Sequence, residues 1–254
     1  MKNAIQNKAL ALGFCAVGVC SPDTKLDYAP PRMPDMPWLD NRLTAQQYFP
    51  QAQSVVVTLF NSRVPGGDER IASHARWGDY HETIKEKLRE LAKGLGTYKV
   101  CVDTSPIHEK SLAAAAGLGW IGKNSLMINP QIGAWGLIGV ILTTEKLPFD
   151  KPMENLCNGC DKCAAACPRQ AIKGRKLEIP DCIAYQTIES KAETIGQSQS
   201  VYGCDICICA CPYSQKAAFN THLRPIDAAR FRDYPFYKRL GELRLKRNLS
   251  SLLP

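Results

Sequence analysis

The feature that most constrains this chain is a run of cysteines, Cys157-x2-Cys160-x2-Cys163-x3-Cys167, closed by Pro168. The tight x2 steps can wrap backbone N–H groups around one sulfide cage, while the last cysteine starts a helix aimed at a second cage. This is the run of bacterial two-cluster ferredoxins, in which the fourth cysteine serves the other cube. Pro168 suits a first helical turn, where no N–H is needed. A second motif, Cys204-x2-Cys207-x3-Cys211-Pro212, has one cysteine fewer. Two four-iron cubes need four thiolates each, and Cys182, between the motifs, is the natural source of the missing one. The expected assignment is Cys157, Cys160, Cys163 and Cys211 on one cube, and Cys167, Cys182, Cys204 and Cys207 on the other. Two C-x2-C pairs alone would suit zinc, but the x2-x2-x3-Pro run is more specific to iron–sulfur. Cys209 has an x1 spacing outside the repeat and reads as a bystander, although it could replace Cys207 or Cys211.

A chain of 254 residues with 12 cysteines is far longer than a small secreted disulfide scaffold. It can bury its own core, so thiolate–metal ligation is the better reading. The apolar share of 45% and the charged share of 22% exclude a disordered chain and a coiled coil. No apolar run reaches the ~18 residues of a membrane-spanning helix. The formal charge is +8, and two oxidised cubes at roughly −2 each would leave the chain basic. The segment from Met1 to Cys20 has a basic start (Lys2, Lys8) and then ALALGFCAVGVC, which could pass for a secretory h-region. No A-x-A-like site follows, and Gly13 and Gly18 break the run into a helix end and a short strand. The expected compartment is the reducing cytoplasm, where free thiols and oxygen-sensitive clusters survive. No membrane association is expected, and the chain is taken as a monomer.

Ahead of the cysteines the pattern is that of a layered domain. Five prolines between positions 22 and 37 predict an extended loop. Ser54–Phe60 is a buried-strand run, Val100–Asp103 a second strand ending on a carboxylate, and Leu137–Thr144 a third. Tyr80–Leu95 is an amphipathic helix with Ile84, Leu88, Leu91 and Leu95 inward, and Ser111–Leu118 is a second, Ala-rich helix. Cys101 reads as core. Strands alternating with helices predict an α+β or α/β layered domain over residues 1–146. A ferredoxin-like double-cluster domain is expected over 147–216, and a short basic helical tail over 217–254. A bare ferredoxin does not need the first domain, which must therefore hold a substrate or another redox centre.

The run Val102-Asp103-Thr104-Ser105-Pro106-Ile107-x-Glu109-Lys110 is followed by Ala116-Gly117-Leu118-Gly119-Trp120-Ile121-Gly122-Lys123-Asn124-Ser125-Leu126-Met127-Ile128-Asn129. With the double-cluster region, Ile183–Glu189 (IAYQTIE), Tyr202-Gly203-Cys204-Asp205 and Gly78-Asp79-Tyr80-His81, the chain closely resembles the epoxyqueuosine reductase family over roughly residues 8–215. The resemblance implies a cobalamin-dependent, iron–sulfur oxidoreductase of tRNA processing and queuosine biosynthesis. Electrons would pass through two 4Fe-4S clusters to base-off cobalamin, and the epoxide oxygen of epoxyqueuosine in tRNA would be removed to leave queuosine. An electron donor is implied but not identified.

The resemblance also implies that Asp103 is the proton donor near the cobalt. Opening an epoxide leaves an alkoxide that needs a proton, and a carboxyl in a partly desolvated pocket can have a raised pKa. An Asp here could instead cap the Thr104-Ser105-Pro106 turn. Gly117, Gly119 and Gly122 allow close backbone approach to a ligand. Lys123, Asn124, Ser125 and Asn129 offer polar contacts that suit corrin amides and a nucleotide-tail phosphate, and Arg42 and Tyr80 align with family pocket residues. His81 and His108 are not obvious cobalt ligands. Family members commonly continue into a helical-repeat domain that grips tRNA. Here the tail offers Arg224, Arg230, Arg232, Lys238, Arg239, Arg244, Lys246 and Arg247 with Phe231, Tyr234, Phe236 and Tyr237 interleaved. Basic residues bind phosphate and aromatics stack on bases, but the same pattern suits a surface helix docked by its aromatics. Two other functions fit parts of the pattern. One is a corrinoid reductase of a small molecule, like reductive dehalogenases, which usually carry a twin-arginine signal. The other is a non-catalytic two-cluster electron carrier, which would bind no corrin.

Overall fold

The computed structural model describes residues 1–25, 33–227 and 229–253, without the side chains of residues 38 and 39. Part of the expected proline-rich loop, residues 26–32, lies outside the described residues. The first helix, α1 (Lys2–Ala11), runs into strand β1 (Ala16–Cys20) through a turn with Gly13 at φ 87°. Gly18 lies inside that strand rather than breaking it. A Cβ there would sit 2.1 Å from the carbonyl oxygen of Ala116, so glycine is what lets a helix press onto the strand.

After a short helix, α2 (Ala45–Tyr48), come β2 (Ser54–Asn61), α3 (Tyr80–Ala92), β3 (Tyr98–Cys101), α4 (Glu109–Ala115), the small hairpin β4 (Trp120–Ile121) and β5 (Met127–Ile128), and β6 (Gly136–Thr143). The main sheet is antiparallel throughout, in the order β1-β2-β6-β3. Its two central strands are apolar without alternation because both faces are covered. Alternate residues go to opposite cores. Val55, Val57 and Leu59 join Leu112 and Ala113 of α4, and Ala116 just after it, on one face. Val56 and Phe60 join Ile84, Leu88 and Leu91 of α3 and Ile5 and Ala9 of α1 on the other. Asp79 caps α3 by accepting the His81 N–H. The layered reading holds, with an antiparallel sheet of α+β type.

The strand expected over Val100–Asp103 is β3, and it ends earlier than the sequence suggests. Cys101 is its last residue, and Asp103 sits beyond it at φ 59° in the left-handed region. Aspartate tolerates this conformation better than most residues.

The cysteine-rich half is built of short pieces: α5 (Lys162–Ala166), the hairpin β7 (Ile172–Lys173) and β8 (Lys176–Leu177), α6 (Ile183–Ile188), α7 (Ile206–Cys209) and α8 (Pro212–Lys216). It is stitched to the sheet domain. Asp205 accepts the Ser73 N–H at 2.6 Å, and Tyr202 accepts the Ala72 N–H at 2.8 Å. Ser214 accepts the Ala134 N–H and, through its carbonyl, the Trp135 indole. A Cβ on Gly133 would fall 2.3 Å from Ser214, so that contact too needs glycine.

The chain closes with α9 (Tyr237–Ser250), kinked at Gly241. Tyr234, Phe236, Leu240 and Leu245 pack with Ile71, Val201 and Tyr202 in a separate small core. Among the described residues no helix is long and apolar enough to cross a membrane.

Candidate active site

Between the sheet domain and the cysteine-rich half lies a cavity of about 430 Å³. One wall carries Cys167, Cys182, Cys204 and Cys207. Burial pushes the Cys204 thiol up to about 12, with nearby Cys182 and Cys167 adding to the rise. Cys157, Cys160, Cys163 and Cys211 lie outside the cavity lining. Cys163 is close enough to Cys157 and Cys160 for their charges to raise it further after burial. Cys211 is buried in a small core with Trp120 and Ile128, against which Cys157 packs, and the Trp120 indole donates to the Cys157 sulfur at 3.2 Å. Cys209 is exposed. Among the described residues no three His, Cys, Asp or Glu side chains gather as a single-ion site.

Asp103 lines the same cavity. Its side chain is 57% exposed, facing the cavity. Tyr80 Oη donates to its Oδ2 at 3.0 Å, and His81 Nε2 lies 3.4 Å from the same oxygen. Although water reaches it through the cavity, the protein packed around it displaces enough solvent to work towards raising this carboxyl. The hydrogen bonds from His81 and Tyr80, with the charges of His81 and Arg239, overcome that effect and hold the group at about 2. The raised carboxyl expected at Asp103 is found instead at Glu109. Burial and the adjacent Asp103 charge push Glu109 up to about 8. Glu109 Oε1 accepts the Asp103 N–H at 2.7 Å, so it fixes the backbone of the aspartate loop from below. The sequence hint for Glu109 was only its place in the run after Pro106, since nothing in one sequence shows that a carboxylate will be covered.

Arg42, Tyr80, Asn124 and Ser125 also line the cavity. Three of their buried polar atoms have no protein partner: Arg42 Nε, Asn124 Nδ2 and Ser125 Oγ. The Asn124 side chain lies beside the Cys207 thiol and works against the rise that burial gives it. Orphaned buried donors on a cavity wall are costly unless a ligand or water satisfies them.

Two expected contacts fall elsewhere. Lys123 ion-pairs with Asp161 at 2.5 Å and braces the first cysteine loop. Asn129 is spent on its own turn: it donates to the Leu118 carbonyl and accepts from the Gln131 and Ile132 N–H groups. Neither lines the cavity. Lys110, which does, donates to the Ser125 carbonyl at 2.7 Å, and burial lowers its ammonium. His74 and Glu189 also line the cavity, and Arg239 reaches Glu189 from α9. Periodicity carries no signal for such lining residues, which come from separate loops.

The apolar remainder of the lining includes Ile107, Leu137, Ile138, Ile172, Ile183 and Ile206. A large flat group with an apolar body and a polar rim fits this combination: greasy walls, a few convergent donors, and redox ligands in one face.

Comparisons with known proteins agree with this geometry. Residues 156–214 match the model of a 4Fe-4S double cluster binding domain, and residues 42–104 match that of epoxyqueuosine reductase QueG, DUF1730. An epoxyqueuosine reductase of Gloeobacter violaceus is 36% identical over 242 residues, spanning 84% of this chain and 76% of the relative. A solved epoxyqueuosine reductase in complex with an epoxyqueuosine-modified tRNA-Tyr stem loop superposes with a TM-score of 0.76. It has 24% identity and covers 97% of this chain and 79% of its own. A reductive dehalogenase described with a mechanism for B12-dependent dehalogenation shares the fold at a TM-score of 0.56. Its identity is 21%, over 83% of this chain and 31% of its own. With the cavity, its cysteine wall and these likenesses in agreement, the chain belongs to the epoxyqueuosine reductase family.

Proposed function

We propose that this chain reduces epoxyqueuosine in tRNA to queuosine, in the cavity between Asp103 and the Cys167–Cys182–Cys204–Cys207 wall. The observation that carries this reading is that one cavity joins both features. A plain electron carrier would have no use for it. Cys167, Cys182, Cys204 and Cys207 would hold the cube that faces the cavity, and Cys157, Cys160, Cys163 and Cys211 the outer one. Cobalamin would be held in the cavity, between Asp103 and the cysteine wall. Arg42 Nε, Asn124 Nδ2 and Ser125 Oγ would meet its polar rim, and the isoleucine-rich lining its body. When bound, the cubes supply single electrons and cobalamin supplies a strongly reducing metal centre.

The chain's own residues do the rest. Asp103, held by Tyr80 and His81, handles the proton that the departing oxygen requires. Glu109 keeps the Asp103 loop facing inward. The apolar lining excludes water, which strengthens each polar contact inside. On the outer surface, Arg230, Lys238 and Lys246 are exposed and can meet tRNA phosphates. Arg244 and Arg247 are not available for that. Arg244 donates to the Ile188 carbonyl, and Arg247 to those of Gln186, Ser190 and Ala192.

The test is anaerobic reconstitution with iron, sulfide and cobalamin, then a single turnover on an epoxyqueuosine-bearing tRNA-Tyr stem loop. Nucleoside mass spectrometry should show loss of one oxygen. A protein loaded with cubes and cobalamin that leaves the epoxide intact would overturn the reading.

A further inference from the structure

His81 occupies a position that proton donation by Asp103 leaves unexplained. Its Nδ1 lies 2.9 Å from Asp79 Oδ1, and its Nε2 lies 3.4 Å from Asp103 Oδ2. A neutral imidazole carries one N–H and can satisfy only one of two carboxylates, whereas the imidazolium carries two donors and satisfies both. Tyr80 stacks on the ring at 3.9 Å between centroids and donates to the same Asp103 oxygen. The imidazole side chain is only 19% exposed, against 57% for the aspartate.

The surroundings keep the charge in place. His74, edge-on to Tyr80 at 5.8 Å, is neutral because burial lowers it. Glu109, below Asp103, is held protonated near neutrality by burial and the aspartate charge. Arg239, from α9, adds a positive charge near Asp103. Asp79 and Asp103 are thus the anions facing His81. Partial burial lowers the imidazole, and these two carboxylates raise it above its ordinary value.

We propose that His81 is the positioning residue that supplies Asp103 with its proton, so that the pair, and not the aspartate alone, is the acid of the site. The inference rests on the reduction reading above. Removing the epoxide oxygen breaks two C–O bonds, forms one C=C bond and releases water. It takes two electrons, from the reductant of that reaction, and two protons. An aspartate held at about 2 carries almost no proton of its own at neutral pH. It can still pass one: His81 Nε2–H gives its proton to Asp103 Oδ2, the carboxyl so formed gives it to the leaving oxygen, and a second pass through the reprotonated His81 supplies the second proton of the water released. The imidazole then recovers a proton from water at its exposed edge. An alkoxide is basic enough to make the net transfer downhill.

Two measurements test this on the cube- and cobalamin-loaded protein. The first is carbethoxylation by diethylpyrocarbonate against pH, followed at His81 and at the exposed His222 by peptide mass spectrometry. Only neutral imidazole reacts. His81 should become reactive at a higher pH than His222, and that gap should close in Asp103→Asn. A His81 that reacts at or below the pH of His222, or that ignores Asp103→Asn, overturns the proposal.

The second is the single-turnover rate against pH. Wild type should fall off above the His81 midpoint. His81→Gln should be slower by ~10-fold or more at neutral pH and lose that fall-off, with cube and cobalamin absorption unchanged. Imidazole should restore part of the rate to His81→Ala. A wild-type rate and profile in His81→Gln overturns the proposal. If wild type itself leaves the epoxide intact, the reduction reading fails, and the carbethoxylation still decides whether His81 and Asp103 share a proton.

Discussion

At the residue scale the site turns on two carboxylates whose environments push them apart. Asp103 is ionised by its donors and Glu109 is neutralised by its burial. Asp103→Asn keeps the turn nearly isosteric and removes the oxygen that can carry a proton. Cube content and cobalamin uptake should be unchanged, and single-turnover rate on the tRNA stem loop should fall by ~10²-fold or more. Glu109 makes a separate prediction about stability. Its folded value of about 8 lies above the ordinary 4.5, so the folded state binds the extra proton between those values. Stability therefore declines as pH rises from about 4.5 to about 8. Glu109→Gln keeps an acceptor for the Asp103 N–H and cannot ionise. Its melting temperature should meet or exceed that of wild type at pH 8, with the gap closing at pH 5.

At the element scale the basic tail divides by contact. Its arginines read as phosphate ligands from composition, yet Arg244 and Arg247 are used on backbone carbonyls in and just after the last turn of α6. Asn248, fully buried, donates to the carbonyls of Thr187 and Val201. Asn248→Leu would leave both carbonyls unpaired at ~1–3 kcal/mol each, partly offset by apolar burial. Chemical denaturation should show a loss of ~2–4 kcal/mol. By contrast, changing Arg230, Lys238 and Lys246 to Ala should leave stability near wild type. It should weaken tRNA binding and reduce the log–log salt slope by at most ~3. A tRNA salt slope indifferent to those three residues would mean that another face holds the nucleic acid.

At the scale of the whole molecule, the cavity exists because two differently built halves meet. Iron analysis of the reconstituted chain should give about eight irons on two cubes. Cys182→Ala should lose the cube facing the cavity, and Cys160→Ala the outer one. With cobalamin placed against the cysteine wall as proposed, Cys182→Ala should also weaken cobalamin uptake by about tenfold or more. Absorption titration reads both effects in one sample, and a Cys182→Ala protein that keeps both cubes would move the ligand role to another cysteine such as Cys209.

The sequence by itself determined those features that act through local spacing. The cysteine runs, the two-sided apolar strands, the amphipathic face of α3 and the family motifs are all set by neighbours a few residues apart. Local rules also placed Asp103 next to a turn. Tertiary structure alone decided what surrounds each polar group. Asp103 is ionised because Tyr80 and His81 arrive from α3, and Glu109 is protonated because the fold covers it. Lys123 braces Asp161 instead of lining the cavity, and Asn129 closes its own turn. Hydrogen-bond partners and burial come from residues distant in the chain, and those long-range contacts set which groups hold protons and which face the cavity.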